Sequence, residues 1–265
     1  MSSYQPFATK VIALTGGASG IGLATCHLLA SRGATLSIAD ANGAALDAAK
    51  SEILAAHPDT KILTTVVDVR DAAAVEAWMA ETVSAFGRVD GCANLAGVIG
   101  KSLGHGTLAE QDVDEWNFII GVNLTGVMHC LKSQLGRVTD NGSIVCASSI
   151  AGLQGRAKNG AYAASKHGVL GLTRSAAKEV GVRGVRVTAV CPGRIDTPMA
   201  RNAALLAGKG NKELGTKHEK SMIDEVSLKR SGRAEEVAHL IGFLLSDEST
   251  YISGNAISID GGWNC

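Results

Sequence analysis

Tyr162 and Lys166 stand four residues apart in Tyr-Ala-Ala-Ser-Lys, the spacing that places two side chains on one face of a helix. An ammonium beside a phenol favours the phenolate and pulls its pKa down from about 10 toward the working range. The pair is therefore a candidate proton donor and acceptor. Alone, Tyr-x-x-x-Lys is also what a solvated helix face looks like. Here Ser149 lies 13 residues upstream, at the end of an apolar run, and Asn123 sits in Val-Asn-Leu-Thr-Gly.

A second constellation points to a nucleotide. Thr15-Gly-Gly-Ala-Ser-Gly-Ile-Gly22 joins a β-rich run to an apolar-periodic segment. Glycines there permit a tight turn and close backbone approach to a pyrophosphate. The helix that follows offers free N–H groups and a positive dipole end. Asp40 ends the next strand, 18 residues past Gly22, where a carboxylate can accept hydrogen bonds from adenosine ribose hydroxyls. The same carboxylate would repel a 2′-phosphate, and no Arg or Lys lies in the glycine loop or just after Asp40 to offset it. NAD is the expected cofactor.

The elements that must position these residues alternate. Strands are expected over 10–15, 34–40, 61–69, 89–96, 142–148, 185–191 and 255–259. Between them fall helical patterns: the segment ending at Gly33, Asn42–His57, a helix capped by Asp71, 114–137, 161–180 and 234–245. Residues 198–226 read as an irregular, charged insertion of helical character. Seven strands with intervening helices imply an α/β fold: one Rossmann-type domain over 1–265, doubly wound on a parallel seven-stranded sheet. In such a sheet ligands lie beyond the carboxyl ends of the strands, which is where Ser149 falls. Residues 1–9 are expected to form an N-terminal tail.

Composition narrows the field. Lys and Arg total 25 against 25 Asp and Glu, so nothing suggests a nucleic-acid face. No apolar run approaches membrane-spanning length. The first ten residues lack a signal peptide's cationic and apolar regions, and a cytoplasmic protein is expected. Six cysteines show no Cys-x-x-Cys pair and no metal-ligand spacing with histidine, so they read as buried hydrophobes and no metal is expected.

Together these motifs closely resemble the short-chain dehydrogenase/reductase family, from about Val11 to Trp263. The marks are Thr15–Gly22, Asp68-Val69, Asn94-Leu95-Ala96-Gly97, Asn123, Ser148-Ser149, Tyr162 through Lys166, Cys191-Pro192-Gly193 through Thr197, and Asp260-Gly261-Gly262. The resemblance implies hydride transfer between nicotinamide and a secondary alcohol or ketone. It makes Tyr162 the general acid/base, Lys166 its pKa modulator and the holder of the nicotinamide ribose, and Ser149 the residue that orients the substrate oxygen. Ser148 is the alternative, and the spacing to Tyr162 favours Ser149. Asn123 would support a relay water beside Lys166. Cofactor contacts are implied for Gly16, Ser19, Gly20, Ile21, Gly22 and Asp40. Asp68 and Val69 would border the adenine, and Asn94 and Ala96 the ribose side. Pro192, Gly193, Ile195 and Thr197 would lie on the carboxamide side. Leu95 departs from the family, which usually has a second asparagine there. Alternatives within the fold are a cyclase or isomerase that retains the cofactor, or a redox-inactive regulatory protein.

The substrate is expected among Val98, Ile99, Gln154, Arg156, Asn159 and residues 199–226, a segment read as a mobile lid with Ala204, Leu205 and Leu206 as its apolar part. Arg156 is a candidate for a substrate carboxylate, or simply a solvated loop arginine. The wording of Gly91–Gly97 is similar to that of filamentous-fungal members, which points to secondary metabolism. The resemblance also implies a homo-oligomer, a tetramer first and a dimer second, paired through 123–132 and 162–180, where Gly168, Gly171, Ala176 and Ala177 permit close approach.

Overall fold

The structure, a computed structural model, describes residues 5–265. Aliphatic runs set the frame. Strand β1 (Val11–Thr15) is buried at all five positions, as are β4 (Val89–Asn94) and β6 (Arg186–Pro192) along their whole lengths, the pattern of a sheet covered on both faces. With β2 (Thr35–Asp40), β3 (Ile62–Val66), β5 (Val138–Ala147) and β9 (Ala256–Ile259), they form one sheet in the order β3-β2-β1-β4-β5-β6-β9. Every neighbouring pair is parallel. A separate two-stranded pairing joins β7 (Ile195–Asp196) to β8 (Gly232–Arg233).

Helices α1 (Gly20–Ser31), α2 (Gly43–Ala56) and α9 (Ala234–Leu245) cover one face, through Leu29, Leu46, Ile53, Val237 and Ile241. The other face takes α3 (Ala72–Phe86), α5 (Gly126–Gln134) and α6 (Gly160–Val180), through Val75, Trp78, Val127, Leu131 and Val169. Strand order reverses between β1 and β4, which opens a crevice at their carboxyl ends. The expected α/β fold is the one found.

The Asp71 cap expected for α3 forms, and Asn42, read as the first residue of its helix, caps α2. Asn42 accepts from Ala45 N–H at 3.1 Å, and Asp71 accepts from Ala73 and Ala74 N–H. The expected helix over 114–137 is α4 (Val113–Ile120) joined to α5 by a π turn at Gly121–Thr125. Strand β5 starts four residues before the expected Gly142, because a bulge with Asn141 at φ 64 lets the chain resume pairing at Ser143. The N-terminal tail is tied down from Gln5 onward. Phe7 is fully buried and its N–H donates to Arg32 O at 3.2 Å. Residues 1–4 of that tail lie outside the described residues.

The charged segment 198–226 is regular rather than irregular. It forms α7 (Pro198–Ala207), capped by Thr197 with Pro198 in its first turn, and α8 (Lys212–Glu225), capped by Asn211. These helices bury no residue except Gly215, so no apolar stripe announces them; their capping residues do. A β-carbon at Gly215 would lie 2.6 Å from Ala204 O, and that close approach joins the pair. Among the described residues no helix is long and apolar enough to cross a membrane.

Candidate active site

Two adjoining cavities lie at the carboxyl edge of the sheet, about 400 and 380 Å³ in volume. They share Ile21, Leu95, Gly97, Thr197 and Met199 as wall residues.

The first is walled by the glycine loop. Gly16 (φ +70) and Gly20 (φ +52) take the left-handed backbone that glycine favours. A β-carbon at Gly16 would meet Ala96 N at 2.7 Å, and one at Gly22 would meet Gly16 O at 2.0 Å. The loop thus turns where only bare backbone fits. Ser19 precedes α1 without a side-chain cap, leaving the helix's positive end to the cavity. This uncapped cradle fits a dinucleotide phosphate. Gly16, Ser19, Gly20, Ile21, Gly22, Asp40, Asp68, Val69 and Ala96 all line this cavity. Asp40 braces the loop by accepting from Ala18 N–H at 3.1 Å and Asn42 N–H at 3.0 Å.

Arg70, the residue that follows Asp68-Val69, also lines this cavity. Its guanidinium forks onto Asp68, with Nε to Oδ2 at 2.9 Å, and lies 5.2 Å from the Phe118 ring centroid. That fork holds the Asp68 carboxyl below its usual range and raises Arg70 in turn. Asn94 lines neither cavity. It is fully buried, and its amide is spent on a reciprocal pair with Gln134, at 2.9 and 2.8 Å. Burial beside another amide makes the Asn94 side chain a brace of the strand end. Leu95 packs between the two cavities as an apolar wall.

The second cavity carries Ser149, Tyr162, Lys166, Pro192, Gly193, Ile195 and Thr197. Of the two serines, Ser148 is buried and donates to Lys166 O at 2.8 Å. Ser149 lies beside the phenol, where its hydroxyl favours the phenolate, while burial pushes Tyr162 above its ordinary value. Lys166 Nζ sits 5.6 Å from the Tyr162 ring centroid and donates to Ala147 O at 2.9 Å. Burial pulls its pKa down to about 8. The ammonium is thus held toward a main-chain carbonyl. Two of its three N–H donors remain for other partners.

Asn123 stands behind the wall, in the π turn. Its Oδ1 accepts from Val98 N–H at 2.8 Å, and its Nδ2 donates to Val98 O at 3.0 Å and Ser165 Oγ at 3.2 Å. The side chain thus clasps the loop after β4. A β-carbon at Gly97 would sit 3.4 Å from both Asn123 Oδ1 and Lys166 Nζ, so Gly97 lets these groups converge.

The substrate side of this cavity includes Ile99, Arg156, Asn159, Met199 and Ala204, as expected. Val98 faces the nucleotide cavity instead, and Gln154, Leu205 and Leu206 line neither. Sequence reasoning missed Arg194 and Trp263 and did not single out Glu219 and Glu225 within 199–226. Arg194 is buried and paired with Glu219. Trp263 Nε1 donates to Glu225 Oε2 at 2.9 Å, and Arg156 stacks on its ring at 4.0 Å. The signal was the Asp260-Gly-Gly turn, whose positive φ values at Gly261 and Gly262 fold the next aromatic back over the sheet edge.

Comparison with known proteins supplies the context. Residues 16–264 match the family described as enoyl-(acyl carrier protein) reductase. The short-chain dehydrogenase/reductase aba4 of Botryotinia fuckeliana (strain B05.10) is 54% identical over 99% of this chain and 100% of its own. The cis-4-hydroxycyclohexanecarboxylate dehydrogenase of Sinomonas cyclohexanicum is 38% identical over 98% of each chain. The crystal structure of levodione reductase superposes with a TM-score of 0.91 at 38% identity, covering 97% of this chain and 98% of that one.

Proposed function

This chain belongs to the short-chain dehydrogenase/reductase family, and from that premise we propose an NAD-dependent dehydrogenase that interconverts a secondary alcohol and a ketone on a small alicyclic molecule of secondary metabolism. Members of the family are oxidoreductases that use nicotinamide cofactors and act on small molecules. The observation that carries the proposal is the meeting of Tyr162, Ser149 and Lys166 on the wall of a cavity continuous with the glycine-loop cradle. The ring hydroxyl in the name of the Sinomonas relative's substrate supports an alicyclic body.

Bound nicotinamide supplies the acceptor or donor of hydride. The backbone of Gly16–Gly22 and the open end of α1 hold the pyrophosphate, and Asp40 accepts from the adenosine ribose. Asp68 and Val69 border the adenine, Ala96 the ribose, and Pro192, Gly193, Ile195 and Thr197 the carboxamide. Asp40 disfavours a 2′-phosphate, and Arg70, committed to Asp68, offers it no compensation; hence NAD. In oxidation Tyr162 takes the hydroxyl proton as the carbinol hydrogen leaves as hydride, and the product is the ketone. In reduction Tyr162 returns that proton. Ser149 holds the substrate oxygen, and the free N–H groups of Lys166 hold the nicotinamide ribose. Asn123 keeps the loop after β4 in register with Lys166.

The enzyme works as a homotetramer paired through α5 and α6. Gly168 and Ala176 are accounted for by packing inside the chain, Gly168 against Leu124, whereas Gly171 faces open space. Five buried, unpaired cysteines suit the reducing cytoplasm.

Tyr162→Phe tests the chemistry. Turnover should fall by roughly 10²–10⁴-fold while NAD affinity stays near wild type. Oxidation by the wild type should rise with pH, because the phenol must lose its proton, and the variant's residual rate should not. NAD affinity should fall as pH rises through about 8, where Lys166 loses its charge, and Lys166→Met should erase that dependence. Near-normal turnover in Tyr162→Phe would overturn the mechanism.

A further inference from the structure

Arg156 is an arginine on the substrate side for which folding supplies no anion, and its guanidinium keeps a buried donor unmet. It makes no hydrogen bond or ion pair with any described residue, and its Nη2 is buried without a partner. Arg194, the other arginine on this wall, has its charge met by Glu219 through Nη2, although its Nε is also buried without a partner. A guanidinium carries five N–H donors in one plane, and leaving such donors unmet where water is scarce is costly. No hydrogen bond within the fold meets them.

The position is nonetheless built. The flat face of the cation stacks on Trp263 at 4.0 Å. Trp263 is held by its indole N–H on Glu225 and by a C-terminal turn in which Asp260 accepts from Gly262 N–H at 3.1 Å and Asn264 N–H at 3.0 Å. Stacking of this kind fixes the plane of the guanidinium and leaves its in-plane donors free. Glu225, the nearest acid, acts on Arg156 only through space, since one of its oxygens serves the indole. Around the cavity Arg156, Lys158, Lys166 and Arg194 face two carboxylates, Glu219 and Glu225. With Glu219 taken by Arg194, the remaining field is positive. The wall between is apolar, with Ile99, Leu103, Ala203 and Met222.

We infer that Arg156 is a specificity-determining residue that receives a carboxylate on the substrate, so that the enzyme's substrates are anionic alcohols or ketones with an apolar body. A planar fork on a rigid platform matches a carboxylate's two oxygens. The inference rests on the dehydrogenase reading for the reacting oxygen alone.

The test separates the two. Full-length protein with saturating NADH or NADPH is titrated calorimetrically with cyclohexanecarboxylate and with cyclohexanecarboxamide, a neutral match in shape. Neither carries a reacting oxygen. The carboxylate should bind roughly 10- to 100-fold more tightly, the scale of a hydrogen-bonded charge. Arg156→Gln should abolish that ratio, and Arg156→Lys should keep part of it. Equal affinity for the two probes in the wild type, including no binding of either, overturns the inference, as does a ratio that survives Arg156→Gln. The wild-type comparison stands even if a variant folds poorly. In parallel, 4-oxocyclohexanecarboxylate and its carboxamide are assayed with NADH. A preserved binding ratio with no turnover of either would sink the dehydrogenase reading and leave the carboxylate site standing.

Discussion

The two ends of the crevice are built on opposite plans. At the nucleotide end the wall is main chain, compressed until it excludes a single β-carbon: 2.0 Å at Gly22, 2.7 Å at Gly16. Its residues come mostly from one continuous stretch and the tips of neighbouring strands. At the substrate end the wall is side chains from distant segments: the loop after β4, the loop after β5, α7, α8 and the C-terminal turn. There Gly155 has no atom within 4 Å of where a β-carbon would stand, and α7 buries nothing. The difference teaches where change is tolerated. On the proposed reading, packing determines how the cofactor is held, whereas groups that packing leaves unsatisfied, such as Arg156, choose the substrate.

The largest effect should come from crowding the tight end. Gly22→Val should eliminate measurable NADH binding by fluorescence and cost about 1–3 kcal/mol of stability in urea unfolding, the usual price of overpacking. Gly155→Ala should change neither measurably, and a comparable loss there would erase the contrast. Next is cofactor choice. Asp40→Ala with Ala41→Arg should shift the NAD-to-NADP ratio of kcat/KM toward NADP by at least tenfold, since a repulsive charge is removed and an attractive one added. A wild type that uses both cofactors equally would contradict the role given to Asp40.

A smaller effect concerns motion. Amides of α7 and α8 should exchange with solvent faster than those of α1 in the free protein, because few apolar contacts hold them, and should slow when cofactor and substrate bind. Hydrogen exchange by mass spectrometry reads this, and slow exchange unaffected by ligand would remove the lid. The smallest change in chemistry but a clear change in size is expected of Gly171→Trp. It projects from the open face of α6 and should convert the proposed tetramer to smaller species by light scattering, with the monomer fold intact by circular dichroism.

Much was legible because it is local. Glycine spacing, the Asp71 cap and buried aliphatic runs are short-range consequences of backbone sterics and hydrophobic burial, and they placed the seven strands. The helices α7 and α8 were read as irregular because they lack a buried stripe. Thr82, a polar residue, takes a buried place on α3, since its hydroxyl bonds both Trp78 O and Ser37 Oγ.

What the amino-acid sequence determined by itself was the sheet, the nucleotide cradle and the set Ser149, Tyr162 and Lys166, each marked by residue type at a spacing that one strand or one helix enforces. Tertiary structure alone decided which polar groups are spent and which stay free. Asn94 is consumed by Gln134, Asn123 by Val98, Arg70 by Asp68 and Arg194 by Glu219, while Arg156 is laid on Trp263 with no anion. These pairings join residues from 2 to 107 positions apart, and no periodicity encodes them. They follow from the three-dimensional competition of buried donors for acceptors, which is settled only when the chain has closed.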